Sequence, residues 1–160
     1  MNSIDLATAR QRAARLAARA DIRAVRMLRS SAELVRLPVD DPHLAYEFDS
    51  ESAVEYEPGS SSFVVRGTYR VAIRAAGSDN SSEPGPSRND DIASIEFEQA
   101  ALFVIDLAED EAPPEAAELD AYAITTGQFA LHPYAREYIA DVTGRLGLPT
   151  LTLGVLALPT

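Results

Sequence analysis

The chain has 160 residues, a net charge of −11 at pH 7 and no cysteine. That length suffices for a single domain with a buried core, and the lack of cysteine excludes disulfides, thiolate metal sites and cysteine nucleophiles. All fourteen basic residues are arginine, so the lysine of a phosphate-binding P-loop is excluded as well.

The charge is unevenly distributed, which bears on partners. Residues 1–36 hold eight arginines against three carboxylates, a net charge of +5, which leaves −16 for the remaining 124 residues. Because so acidic a body repels phosphate, we expect no nucleic acid binding by the whole protein, and its surface suits basic partners and unfolded chains. For most of these carboxylates, a role in solubility explains the acidity equally well.

Two features of the sequence bear on location. No run of about 18 or more apolar residues occurs, so no membrane insertion is predicted. The first residues, Met-Asn-Ser-Ile-Asp, lack the charged and then apolar layout of a secretory signal. We therefore expect a cytoplasmic protein.

The N-terminal stretch, residues 6–20, is rich in alanine and arginine and predicts a helix. One stripe of that helix is apolar: Leu6, Ala9, Ala13, Leu16 and Ala20. Its arginines would suit a nucleic-acid-binding arm, but we favour a helix that packs through its alanines and leaves the arginines in solvent.

The next segment, residues 21–37, is ambiguous. Its helix propensity continues to about Arg29, yet its apolar residues also suit a bulged strand. Residues 38–43, with two aspartates between two prolines, predict a turn-rich connection.

Two alternating runs then predict an antiparallel hairpin with one face in water. In the first run the apolar residues are Leu44, Tyr46, Phe48, Val54 and Tyr56, and the residues between them include Glu47, Asp49, Glu51, Glu55 and Glu57. In the second run Phe63, Val65, Tyr69, Val71 and Ile73 face one way and Arg66, Arg70 and Arg74 the other. Acidic rows on both neighbouring strands would flank the arginines and help to set the register.

Residues 77–91 form a polar, low-complexity segment that we expect to be a mobile loop, since it has no apolar residue to bury. Residues 92–107 predict the next strand, with Ile95, Phe97, Phe103 and Ile105 on one face. The opposite face begins with Glu96 and Glu98 but becomes apolar towards Leu102. That change fits either a subunit contact or a buried strand end.

The C-terminal part predicts two helices. Pro113-Pro114-Glu115 opens one that runs to about Ile124, and Thr125-Thr126-Gly127 is expected to break it. A main helix over 131–145 follows, with Pro133 in its first turn, and Pro149 stops it before an extended apolar segment.

This last region resembles the SecB family of export chaperones. The family pattern is met by ten residues at fixed spacing: Leu131, Pro133, Tyr134, Arg136, Glu137, Asp141, Arg145, Pro149, Leu151 and Leu153. The arginine- and alanine-rich start and the phrase Ala-Tyr-Ala-x-Thr-Thr-Gly-x-Phe-Ala-Leu look most like SecB-like chaperones linked to toxin–antitoxin systems of actinobacteria. The chain ends at Thr160 without the polar tail of export members, which also favours that branch.

The resemblance implies an α+β domain spanning residues 1–160. It would hold a four-stranded antiparallel Greek-key sheet of order 2-3-4-1, two C-terminal helices on one face and an extra N-terminal helix. It also implies that residues 21–37 form the first strand and that residues 38–43 begin a long crossover. Members of the family bind unfolded chains in apolar grooves without nucleotide or other cofactor, as homotetrameric dimers of dimers.

The function implied is that of an ATP-independent holdase whose client is an antitoxin, with export of precursors as the alternative. We expect a client-binding groove lined by Leu37, Leu44, Tyr46, Phe48, Tyr122 and Phe129. Core packing would explain each of these equally well except Tyr46 and Tyr122, whose rings with a polar tip suit a half-wet site. The family's translocase motor recognises an acidic sheet surface, for which the candidates here are Glu47, Asp49, Glu96 and Glu98.

No catalytic or metal-binding motif is recognisable. The two histidines, His43 and His132, are not at metal-binding spacing, and nothing in the sequence singles out a catalytic pair among the many carboxylates. We therefore predict no catalytic residues, no metal site and no enzyme activity. A small acidic ligand-binding domain or enzyme is the alternative from another class.

Overall fold

The computed structural model describes residues 6–38, 43–76, 91–154 and 156. In chain order the elements are α1 (Leu6–Ala17), β1 (Ala20–Leu34), β2 (Leu44–Tyr56), β3 (Ser62–Ala75), β4 (Asp91–Ile105), α2 (Ala116–Tyr122), a π-helical turn (Ala123–Gly127) and α3 (Gln128–Arg145). This arrangement confirms the predicted α+β fold. The predicted loop of residues 77–91, apart from Asp91, and most of the predicted connection over 38–43 lie outside the described residues.

The four strands form one antiparallel sheet in the order β1-β4-β3-β2, as predicted. The ambiguous segment is therefore strand β1, and two bulges interrupt its pairing with β4, between Ile22 and Ala24 and between Met27 and Arg29. An extra residue at each bulge locally increases strand twist, which explains why β1 did not show clean alternation in the sequence. Strand β2 pairs with β3 without a register shift, from Leu44 opposite Ala75 to Tyr56 opposite Phe63.

The two faces of the sheet differ as the alternation predicted. On the inner face, the apolar residues of β3 and β4 are buried with α1, α2 and α3 in one core. Aromatic rings join the layers: Tyr122 packs edge-on against Phe63 and Phe103, and Phe97 lies between Tyr69 and Tyr138. The charged residues lie on the outer face, where Arg66 pairs with Glu55 and Glu98, and Arg74 pairs with Glu47 and Asp91.

Helix α1 packs through its small side chains, which confirms the interpretation favoured from the sequence. Ala9, Ala13 and Leu16 are buried in the core, and α1 ends at Ala17, three residues earlier than predicted. On its exposed side, Arg15 reaches α2 and pairs with Glu118. The helix is therefore part of the domain, held by apolar packing on one side and by an ion pair on the other.

The break predicted at Thr125-Thr126-Gly127 is not found. The chain continues from α2 through the π-helical turn directly into α3, which begins at Gln128 and places Pro133 inside the helix. The hydroxyl of buried Thr125 donates a hydrogen bond to the carbonyl of Ala121 at 2.6 Å, which keeps a β-branched residue compatible with the helical path. One wider turn thus replaces the expected break.

The outer face is not uniformly charged. Near the start of β3, the outer side of β4 carries half-buried Ala100 and Val104 and exposed Leu102. If this part of β4 were simply a buried strand end, the chain itself would cover Leu102, but Leu102 is exposed. A subunit contact at this place therefore stays a prediction. Within the described residues, no helix combines the length and apolarity needed to cross a membrane.

Candidate functional site

The inner side of edge strand β2 presents apolar side chains that the helices cover only in part. Alternate residues of β2 point to this side, and among them Leu44, Phe48, Val54 and Tyr56 are half-buried, while Tyr46 is 47% exposed. Two cavities open along this row, one at each end of the strand. We call the row and its two cavities the β2 groove.

The first cavity lies at the start of β2 and has a volume of about 410 Å³. Leu44 and Tyr46 form one wall with Ile73 of β3, and residues 149–151 form the other. Those residues are held in place by α3, because the amide of Leu151 donates to the hydroxyl of Thr143 at 3.0 Å. The second wall is therefore anchored to the core rather than free.

The second cavity, also of about 410 Å³, lies at the other end of the strand. Val54 and Tyr56 of β2 face Pro113, Pro114 and the start of α2 across it. Proline and aliphatic side chains make this cavity mostly apolar, which suits side chains of a partner rather than a charged small molecule.

A cluster of charges, which we call the Arg15 clasp, holds the second cavity's far wall. The Arg15 guanidinium donates to both carboxylate oxygens of Glu118, at 3.0 and 2.7 Å, and to the carbonyl of Ala112 at 3.0 Å. Glu111 lies 3.8 Å from Arg15 and 3.4 Å from Arg19. Helix α1 thereby fixes both the residues that precede Pro113 and the start of α2.

The hydrogen bonds within the clasp shift two pKa values in opposite directions. Hydrogen bonding to Arg15 lowers the pKa of Glu118, against the effect of its burial, and the bond to Glu118 raises the pKa of Arg15. Both side chains are therefore charged at neutral pH, and the pair is a fixed electrostatic contact.

Between the two cavities the row of inner side chains becomes polar. Ser50 and Ser52 replace apolar residues on the inner side of β2, and Gln128 at the start of α3 donates a hydrogen bond to the Ser50 hydroxyl at 3.2 Å. We call these three residues the polar waist. It divides the β2 groove into two apolar ends.

The structure separates the six residues that were expected to line the groove. Leu44 and Tyr46 line the first cavity, and half-buried Phe48 lies beyond them, with its ring stacked on Tyr69 at 6.2 Å between centroids. Tyr122 is 1% exposed among core rings, where burial raises the pKa of its phenol to about 12, so it offers no surface to a client.

The other two expected residues lie elsewhere on the surface. Phe129 is 37% exposed and lines a separate cavity of about 480 Å³ on α3, together with His132 and Pro133. Leu37 is 76% exposed beyond the end of β1 and lines neither cavity of the β2 groove. They are therefore not neighbours of Leu44 and Tyr46 in the β2 groove.

The four acidic candidates all lie on the outer face, but they differ in their ion pairs. Glu47 and Glu98 are paired with arginines, whereas Asp49 and Glu96 have no ion pair among the described residues. Glu47, Asp49 and Glu96 line a shallow concavity of about 620 Å³ that also holds Arg70, whereas Glu98 does not line it. The concavity keeps an excess of negative charge.

Metal binding has no support in the described part of the chain, where no three His, Asp or Glu side chains form a cluster that could hold an ion. His132 instead contacts the carbonyl of Gly154 at 2.9 Å.

Comparison with known proteins identifies the family. No family model matches the chain. Two Mycobacterium tuberculosis proteins, the SecB-like chaperones MT2006 (strain CDC 1551 / Oshkosh) and Rv1957 (strain ATCC 25618 / H37Rv), are 47% and 46% identical to it over 149 residues, which are 91% of this chain and 82% of each relative. The chain belongs to the SecB-like chaperones.

A solved structure of the family agrees with the fold. It is described as the Mycobacterium tuberculosis Rv1957 SecB-like chaperone in complex with a ChAD peptide from the Rv1956 HigA1 antitoxin. The match has a TM-score of 0.81 and 43% identity, over 93% of this chain and 99% of that one. These findings confirm the family that the C-terminal pattern indicated.

In this SecB-like chaperone, the ten-residue pattern is mainly structural. Leu131 and Leu153 are buried, and Arg145 pairs with Asp141 at 2.8 Å on the surface of α3. Pro149 and Leu151 belong to the wall of the first cavity. These six residues build the helix layer and one wall of the β2 groove, whereas Pro133, Arg136 and Glu137 line the separate cavity on α3.

Sequence reasoning missed the second cavity and the polar waist. Val54 and Tyr56 were placed on the correct face by alternation but were not assigned to the groove. Their partners Pro113 and Pro114 lie more than fifty positions further along the chain, and no local signal connects them. The hydrogen bond between Gln128 and Ser50 joins residues 78 positions apart, so no local signal in the sequence predicts it either.

Proposed function

We propose that this protein is an ATP-independent holdase that keeps an antitoxin of a toxin–antitoxin system from aggregating until it meets its toxin. The observation that carries the proposal is the β2 groove, because two anchored apolar cavities suit an extended, unfolded chain when they lie along a sheet edge that no other described strand occupies. The antitoxin client is supported by the related Rv1957, whose solved complex holds an antitoxin peptide.

Location, partners and assembly belong to the same proposal. A holdase for an antitoxin acts where that antitoxin is made, which is the cytoplasm, and it needs no cofactor or enzymatic step. Assembly as a homotetramer is supported by β1, a 15-residue edge strand with exposed Ile22, Met27 and Leu28. Such an edge invites pairing with a second copy.

General protein export remains the second candidate, and the acidic outer face favours it. Glu47, Asp49, Glu96 and Glu98 would present negative charge to a basic surface of the translocase motor. Charge reversal at Asp49 and Glu96, which have no ion pair among the described residues, would weaken that contact without breaking an internal one. Unchanged affinity for the motor would remove the export proposal.

The test is capture of clients from the native cells with tagged protein, followed by mass spectrometry. We expect one small antitoxin to be strongly enriched with the wild type and with the control Tyr134→Thr, whose side chain is exposed on α3 and lines neither cavity of the β2 groove. Tyr46→Thr, an equally mild change within the β2 groove, should lower that recovery severalfold.

Two other results would count against the antitoxin proposal. A broad set of precursors with signal peptides would favour export instead. Recovery of neither class, with wild-type protein that is folded and abundant, would contradict the holdase function itself.

A further inference from the structure

The β2 groove has a fixed length that a client must match. Strand β2 runs from Leu44 to Tyr56 without a register shift, so residues of one parity point to the inner side throughout. Leu44 and Tyr46 line the first cavity, and Val54 and Tyr56 line the second. Corresponding points of the two cavities are thus ten residues apart, on the order of 33 Å along an extended strand.

The polar waist makes the two ends separate binding sites. An apolar side chain placed over Ser50, Ser52 and Gln128 would cover polar atoms, including the hydrogen bond between Gln128 and Ser50, without apolar contacts in return. Apolar side chains of a client therefore gain most at the two ends. Small polar side chains fit between them.

The free edge of β2 sets the register of a bound chain. Among the described strands β2 pairs only with β3, so the backbone groups on its other edge are available to an added strand. A chain that pairs there matches β2 residue for residue, and its side chains alternate between the inner and outer faces. Two side chains can reach both cavities only if their positions differ by an even number, and a difference of ten joins corresponding points of the two cavities.

The outer row of β2 defines the charge of the occupant. This row is acidic and exposed, with Glu47, Asp49, Glu51 and Glu55 in β2 and Glu57 directly after it. Asp49 and Glu51, beside the polar waist, have no ion pair among the described residues. Arginine or lysine on the outward positions of an added strand would lie opposite these carboxylates.

We propose that the β2 groove measures its client: it selects an extended segment with two apolar anchors ten residues apart and basic residues at outward positions between them. The inference rests on the proposed holdase function and adds a spacing rule to it. Anchors nine or eleven residues apart would send the second anchor to the acidic outer face. The same composition in another order should therefore bind more weakly.

Synthetic peptides of identical composition test the rule. Each carries two leucines in a background of serine and threonine, with three arginines at odd positions from the first leucine, and the leucines are nine, ten or eleven residues apart. Binding to the full chain is measured by fluorescence anisotropy. We expect the ten-residue spacing to bind about tenfold more tightly than either neighbour, because only there do both leucines become buried.

A matched pair of protein variants checks the site. Tyr46→Thr should remove the preference for the ten-residue spacing by opening the first cavity, whereas Tyr134→Thr on the exposed surface of α3 should keep it. Equal affinity of the three peptides for the wild type, or a preference that Tyr46→Thr leaves intact, would overturn the spacing rule.

A second assay separates this inference from the proposed function. It measures how well the same protein preparation suppresses aggregation of a chemically denatured antitoxin. If the wild type shows no spacing preference but still suppresses aggregation, only the spacing rule is overturned. Loss of both would overturn the holdase function as well.

Discussion

The Arg15 side chain connects the N-terminal helix to the wall of the second cavity. The two partners are unequally buried, since the Arg15 side chain is 40% exposed and that of Glu118 only 9%. Removing the arginine would therefore leave a nearly buried carboxylate without its counter-charge, which costs more than the loss of an exposed ion pair.

We expect Arg15→Met to lower the free energy of unfolding by about 2 kcal/mol at pH 7, the typical value of a hydrogen-bonded, partly buried charge. Arg12→Met, on the same helix but exposed, is the control and should change it by less than about 0.5 kcal/mol. Urea denaturation of both variants measures the difference. Equal free energies of unfolding for Arg15→Met and Arg12→Met would mean that the Arg15 clasp does not stabilise the protein.

The same pair predicts a pH dependence. Because Arg15 lowers the pKa of Glu118 below its ordinary value of 4.5, the stabilisation is fully present above that pH and is lost as the pH falls through the lowered pKa. The stability difference between wild type and Arg15→Met should accordingly narrow in acid. A difference that stays constant from neutral pH into acid would contradict this assignment.

Among the elements, the π-helical turn determines how the helices sit on the sheet. A Cβ atom at Gly127 would lie 2.9 and 3.0 Å from the two methyl groups of Val65, which is fully buried. The absence of a side chain therefore lets the junction of α2 and α3 approach β3 closely. That approach also brings Gln128 to Ser50 and closes the polar waist.

Replacing glycine by alanine should have opposite effects on stability at two positions. Gly127→Ala should destabilise the protein by about 1–3 kcal/mol, because Val65 has no room to move. Gly144→Ala, inside α3 with open space around its Cα, should stabilise it by up to about 1 kcal/mol through helix propensity. Thermal unfolding of both variants tests this, and destabilisation by both would show that the helix, not the contact, is sensitive.

The elements also show where sequence reasoning succeeds. Alternation placed β2, β3 and β4 and their faces correctly, because side chains in a strand repeat every two residues whatever lies around them. The break at Thr125–Gly127 was wrong, since Thr125 bonds to a carbonyl within the helix and Gly127 serves packing against Val65. Both reasons depend on tertiary structure.

At the scale of the whole molecule, the sheet separates two kinds of surface. The inner side of its β2 edge carries two apolar cavities, and the outer face carries an acidic concavity beside an apolar area around Leu102. The apolar cavities are the kind of surface that a holdase needs. The outer face suits a partner that receives the client. Alternation in the sequence placed Leu44 and Tyr46 on the inner side of β2, and their contact with a client stays a prediction. Pro113, Pro114 and Gln128 come close to β2 only through contacts between distant segments.

Hydrogen exchange with and without a bound antitoxin would show whether a client pairs with the edge of β2. Amides on the free edge of β2 should exchange quickly in the free protein and slowly in the complex, because an added strand would accept their hydrogen bonds. We expect client-dependent protection of residues 44–56, with smaller effects at 113–119 and 149–151. Protection confined to β1 or to the outer face, with β2 unchanged, would contradict it.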